Sequence, residues 1–182
     1  MKIIGIAGLP GSGKSFLVNQ LKEDNHFKII KLGEYIRENG KYYGSTQLIQ
    51  ASNFIKDTLS TGSIIEIFQK QISSSINDNK IIVIDSIRTK EDILFLKKNY
   101  EKEYIILAVI ANRVIRQKRV LERHKNGDPL NEKDFIELDN WEMQLWSSIY
   151  LQISEYLVNN RNDTVKFKDF VYSIVSEERS FV

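Results

Sequence analysis

Short runs of apolar, often β-branched residues alternate along this chain with longer stretches whose apolar positions recur at helical spacing. Lys2–Ala7 (KIIGIA), Phe27–Leu32 and Ile81–Ile84 read as strands, followed by Tyr104–Ala111 and a short Tyr156–Asn159. Ile81–Ile84 is continuously β-branched, as an interior parallel strand buried on both faces requires. Helical periodicity covers Lys14–Glu23, with Leu17, Val18 and Leu21 on its inner face, then Lys90–Tyr100, Arg113–His124, Glu132–Ile153 and a closing Thr164–Val175. From Glu34 to about Ile76 the pattern is also helical, broken near Gly40–Gly44 and at Gly62. Strands separated by helical crossovers predict an α/β class: a parallel sheet with helices on both faces.

Composition narrows this picture. The 182 residues, 42% hydrophobic and 27% charged, suit one domain with a real core, and no linker-like tract or internal repeat divides them. With 26 basic against 24 acidic side chains the net charge is only +2, which argues against a nucleic-acid glove or a polybasic membrane binder. The absence of cysteine excludes disulfide scaffolds and Cys-based zinc sites, and two histidines leave little for a His-rich metal centre. No run approaches the ~18 apolar residues of a membrane span. Met1 leads into a strand rather than a signal peptide, so the cytoplasm is the expected location.

The most specific chemistry lies between the first strand and the first helix, at Gly8-Leu9-Pro10-Gly11-Ser12-Gly13-Lys14-Ser15, with Phe16 following. This is GxxxxGKS/T in the strand–loop–helix setting that the phosphate loop needs. Its glycines let consecutive N–H groups curl into an anion-sized nest. The following helix adds its positive end. Lys14 would bring a point charge to the β/γ-phosphates, and the Ser15 hydroxyl would ligate Mg²⁺.

Ile81–Ile84 runs into Asp85, a carboxylate at the end of a parallel strand, which would face the Mg²⁺ side of the loop. A helix N-cap is the plainer role for Asp85. The next residue is Ser86 rather than a second carboxylate, and neither a DxxG at this strand nor an NKxD occurs. A water-splitting motor or switch GTPase is therefore disfavoured against transfer to a bound acceptor, which needs positioned cations more than a water base. Cations are present: Arg116, Arg119 and Arg123 share one helical face, with Glu122 the one nearby acid, and Lys125 leads into Asn126-Gly127-Asp128-Pro129. Such a face is often merely solvated. Arg37 after the second strand and Arg88 beyond Asp85 add arginines from two further segments, as a pocket joining two phosphates requires. Trp141, Trp146, Met143, Leu145 and Ile149 read as packing residues, Tyr42 and Tyr43 as loop, and His26 and His124 as surface or packing.

Gly8–Ser15, Gly33-Glu34-Tyr35-Ile36-Arg37, Asp85-Ser86-Ile87-Arg88, Arg119 and Arg123 together resemble the P-loop nucleoside monophosphate kinase superfamily. In adenylate kinases a Gly-Asp-x-x-Arg segment opens the acceptor-binding helices and an Asp-Gly-x-x-Arg segment ends the third strand. Over nearly its full length the chain is similar to an archaeal-type group of adenylate-kinase-related, dephospho-CoA-kinase-like proteins. That group's features include the stretch Arg116–Asp128, Asp139 with Glu142, and Tyr156–Asn160. There are departures: Leu138 stands where that group carries an arginine, Ser86 replaces glycine, Trp146-Ser147-Ser148 replaces a glycine-containing turn, and Gly127 replaces one of two acids.

The resemblance implies a single P-loop kinase domain over residues 1–182, with five parallel strands in the order 2-3-1-4-5. Residues 33–77 would form the acceptor-binding region and 113–140 the lid. It implies ATP and Mg²⁺ as cofactors and transfer of the γ-phosphoryl to a small nucleotide acceptor. Gly8–Phe16 would bind ATP, with Ser15 and Asp85 at the metal. Gly33, Glu34, Arg37 and Arg88 would bind the acceptor, and Lys14, Arg88, Arg119 and Arg123 would carry catalysis. The protein would be a monomer or homodimer, away from membranes and nucleic acid. Two alternatives stand beside it: dephospho-CoA kinase, and a nucleotide-responsive ATPase associated with RNA or protein.

Overall fold

The structure is a computed structural model, and it describes residues 2–39, 62–87, 89–124, 128–153, 155–160 and 166–179. Arg88, the break at Gly40–Gly44, Tyr42, Tyr43 and Lys125–Gly127 lie outside the described residues, as do the side chains of Arg37 and Trp146. The strands are β1 (Ile3–Ala7), β2 (Phe27–Lys31), β3 (Ile81–Asp85), β4 (Tyr104–Ile110) and β5 (Tyr156–Asn159). They form one parallel sheet in the order β2-β3-β1-β4-β5. The helices are α1 (Lys14–Asn19), α2 (Leu32–Asn39), α3 (Gln69–Asn77), α4 (Lys90–Tyr100), α5 (Arg113–Glu122), α6 (Glu132–Ile153) and α7 (Phe167–Arg179). Short 3₁₀ turns occupy Ile64–Phe68 and Glu101–Glu103. The class, the parallel pairing and the strand order are those the sequence implies.

Alternation along the strands divides the core between two faces. Ile82 and Ile84 of β3 join Ile3, Ile64, Ile65, Phe95 and Leu96 on one side. Ile81 and Val83 join Ile4, Ile6, Leu17, Val18 and Phe167 on the other. Each such side chain taken out of water contributes about 1.5–3 kcal/mol before chain entropy is set against it. Gly5, in the middle of the central strand, is required by close approach, because a Cβ there would run into the side chains of Ile87 and Ile106. The chain leaving β3 is therefore packed tightly over β1, with the Ile87 N–H donating to Ile6 O at 2.9 Å.

Several element ends differ from the pattern reading, each for a local reason. The periodicity of Lys14–Glu23 overruns α1, because Gln20, Leu21 and Lys22 donate to carbonyls three residues back in tight turns that still bury Leu21. α5 stops at Glu122, and His124 adopts φ 46°, a left-handed conformation that cannot continue a helix. α7 opens at Phe167, whose N–H is received by the Gln20 side chain at 3.0 Å, and runs four residues past the last apolar position, Val175. Met143, read as packing, is exposed. Thr89, not Asp85, caps α4: its hydroxyl accepts from Asp92 N–H while the Asp92 carboxylate takes the Thr89 N–H. The same buried carboxylate accepts from Ser63 Oγ at 2.9 Å and Ile64 N at 3.1 Å, fixing the chain that precedes α3. No described helix is long and apolar enough to cross a membrane.

Candidate active site at the phosphate loop

Parallel pairing brings the carboxyl ends of β1, β2 and β3 to one edge, with Lys31 opposite Asp85 and Asp85 opposite Ile6. From there the chain turns through Gly8–Gly13, with Gly11 and Gly13 at φ 79° and 92°, in the left-handed region. Lys14 is buried and its ammonium donates to the carbonyls of Gly8 at 2.6 Å and Leu9 at 3.1 Å. The loop thus bends around its own lysine, a charge that incoming phosphate oxygens can share.

The Ser15 hydroxyl donates to Asp85 Oδ2 at 3.1 Å, and the Ser86 hydroxyl donates to Asp85 Oδ1 at 2.8 Å. Ser86 therefore orients the buried carboxylate instead of adding a second one. Among the described residues no group of three or more His, Asp or Glu gathers as a metal cage. Two protein oxygens, one hydroxyl and one carboxylate, fit Mg²⁺, which favours hard oxygen ligands and completes its shell with water and phosphate.

A cavity of about 470 Å³ opens from the loop toward the end of β2. Gly11, Gly13, Lys14, Ser15 and Phe16 line it from the loop, Asp85 and Ser86 from the end of β3, and Gly33 and Glu34 from α2. Arg119, Arg123, Asp128, Leu138 and Glu142 form its remaining wall. Phe16 is half exposed at the rim. Glu34 accepts from Lys31 Nζ at 3.0 Å, which ties the last residue of β2 to the first turn of α2.

The arginines of α5 have separate fates. Arg116 is buried and reaches away from the cavity to Asp139 of α6, both guanidinium ends on the carboxylate, one of them at 3.1 Å. Arg113 Nε meets the same carboxylate at 3.1 Å. Arg119 lines the cavity, with Nη1 donating to Gly11 O at 3.3 Å and Asn160 O at 3.1 Å. Arg123 also lines it, held by Asp128 through Nε at 2.5 Å and Nη2 at 2.7 Å. The sequence reading names Glu122 as the one acid near this face; the fold adds Asp128 and Asp139. Asp128 directly follows an Asn-Gly pair in the sequence, a usable local signal, whereas nothing local links Asp139 to an arginine 23 residues earlier.

A family profile described as an AAA domain matches residues 7–136, from the end of β1 through the phosphate loop into α6. The chain belongs to this AAA-domain family. The chain is 28% identical to a UPF0200 protein of Methanococcus vannielii, over 97% of this chain and 96% of that one. A UPF0200 protein of Staphylothermus marinus is 26% identical, over 96% and 92% of the two chains. Among solved structures, the AAA-domain chain is similar to shikimate kinase from Acinetobacter baumannii in complex with shikimate, with TM-score 0.56 and 15% identity over 99% and 94% of the chains. A sugar kinase from a Janibacter species gives TM-score 0.55 at 8% identity, over 97% and 93%. At these identities the likeness is one of fold, that of the P-loop kinases.

Proposed function

We propose that this AAA-domain protein is an ATP-dependent phosphotransferase, a nucleoside or deoxynucleoside monophosphate kinase of adenylate-kinase type. The observation that carries the reading is that one cavity is lined both by Lys14 and Ser15 and by Gly33 and Glu34, so that an acceptor at α2 would face the triphosphate on the loop. An acceptor phosphate oxygen attacks the γ-phosphorus, the bond to the β–γ bridging oxygen breaks, and ADP departs. Gly8–Phe16 cradle the triphosphate, and Lys14 moves its charge from the loop carbonyls to the phosphates. Ser15 and Asp85 would hold Mg²⁺, which when bound neutralises charge on the β- and γ-oxygens. Gly33, Glu34 and Arg37, in an acceptor region of residues 33–77, and Arg88 beyond β3 bind the acceptor. Arg119 and Arg123 close from the lid region of residues 113–140, the latter after exchanging Asp128 for phosphate. The whole chain acts as one kinase domain, a cytoplasmic monomer or homodimer.

One observation favours a second reading. Glu34 lines the cavity and is half exposed there, where a carboxylate can take the proton of a ribose hydroxyl, as dephospho-CoA would require. Incubation with ATP, Mg²⁺ and each common nucleoside monophosphate, and separately with dephospho-CoA, tests both. The proposal expects one phosphorylated monophosphate per ADP formed. Product from dephospho-CoA alone transfers the assignment to the second reading, and acceptor-independent phosphate release stimulated by RNA or protein makes the protein an ATPase.

A further inference from the structure

The backbone carbonyls of the phosphate loop are held by side chains from elsewhere in the fold. Asn160 Nδ2 donates to Ser12 O at 3.0 Å, Arg119 Nη1 to Gly11 O at 3.3 Å, and Arg116 Nη1 to Pro10 O at a longer 3.4 Å. Three consecutive peptide oxygens thus lean on groups from α5 and from the residue that follows β5. In a trans peptide the carbonyl and the next N–H point in opposite directions. Drawing the Ser12 oxygen outward therefore turns the Gly13 N–H toward the nest.

Asn160 is the centre of this brace. It is fully buried, its own N–H donates to Ile110 O at 2.9 Å, and its carbonyl receives Arg119 at 3.1 Å. A Cβ on Gly13 would run into its carboxamide, so the loop and this side chain are fitted to each other. Its Oδ1 is buried and has no partner among the described residues. An unpaired buried acceptor is costly, and an apolar side chain of the same size would avoid that cost. What Asn160 supplies in return is its donor to Ser12.

We infer that Asn160 is a positioning residue for nucleotide binding, its carboxamide presetting the Ser12–Gly13 peptide so that the loop meets the phosphates already folded. The inference rests on the reading of Gly8–Ser15 as a triphosphate site. Preorganisation strengthens binding because the ordering cost is met before the ligand arrives. Asn160→Leu keeps the volume and removes the donor.

The test is titration calorimetry of wild type and Asn160→Leu with inorganic triphosphate and with ATP, well below the melting transition of both proteins. Both ligands should bind the variant roughly tenfold more weakly. A merely structural role would lower the melting temperature and leave these affinities of the folded protein untouched, which would overturn the inference. Failure of the wild type to bind either ligand would overturn the triphosphate reading itself. If the variant does not fold, ¹⁵N relaxation on the nucleotide-free wild type decides. The Gly11 and Gly13 amides should be as rigid as β1, and amides that order only with ATP would refute the brace.

Discussion

Asp139→Ala removes the carboxylate on which Arg116 depends and leaves a guanidinium buried between α5, α6 and the phosphate loop. Arg116 is 4% exposed and Asp139 0%, so water cannot replace the lost partner without opening the structure. Arg113, the second cation on that carboxylate, is 45% exposed, can turn to solvent and adds little. Breaking a buried pair by deleting one member costs about 3–5 kcal/mol. For a chain of this size each kcal/mol is worth about 2–4 °C, so the melting temperature should fall by roughly 6–20 °C. Scanning calorimetry of wild type, Asp139→Ala, Asp139→Leu, Arg116→Leu and Arg116→Leu/Asp139→Leu measures the effect and its coupling. The double variant should recover much of the loss, since an apolar pair leaves no charge unpaired. An Asp139→Ala protein melting within about 2 °C of wild type would refute the buried-pair reasoning.

Two further predictions concern other carboxylates. Glu34→Gln should chiefly weaken acceptor binding, because a monophosphate oxygen is already ionised near neutral pH; a loss of about a hundredfold in single-turnover rate with acceptor affinity unchanged would instead identify a proton acceptor and favour dephospho-CoA. Asp24, on the turn before β2, accepts from Lys168, Tyr172 and His26, with Lys168 and Tyr172 each at 2.7 Å, and these bonds hold its carboxyl well below the usual range. Its folded pKa lies under the unfolded value, so its stabilisation is present above about pH 4 and is lost as the pH falls further. Thermal melts should show Asp24→Asn less stable than wild type at pH 7, with the gap closing below about pH 4; a gap independent of pH would contradict this. The hydrogen bond to Asp24 raises the Tyr172 pKa, so the contribution of Tyr172 is present below about pH 10 and is lost at more alkaline pH.

What was legible in the sequence followed from local order. The bounds of α4, α6 and β5 match because the apolar pattern there stops where structure stops, and for α4 because Thr89 and Asp92 form a capping pair at the right spacing. The phosphate loop was legible because all its chemistry lies within eight consecutive residues. Periodicity failed where two conformations share a spacing. Positions three apart stay on one face in tight turns as well as in α-helix, so α1 read longer than it is. The side-chain partners of the arginines were hidden for a different reason. Arg116, Arg119 and Arg123 look alike on a helical wheel, yet Arg116 is claimed by Asp139 and Arg123 by Asp128, while Arg119 joins the phosphate loop to Asn160. Those pairings span up to 108 residues, and the long ones exist only once the sheet has set α5 beside the loop.

The fate of the γ-phosphoryl group tests the central claim most directly. ATP labelled at that position is mixed with the protein, Mg²⁺ and a monophosphate panel, and the label is followed into nucleotide or orthophosphate. The account predicts label in a nucleoside diphosphate, appearing with ADP in equal amounts and only when an acceptor is present. It also predicts that Lys14→Ala abolishes this transfer, because a charge clamp of this kind is worth several kcal/mol, on the order of 3. Label released as orthophosphate whatever acceptor is offered, or wild-type transfer by Lys14→Ala, would contradict it.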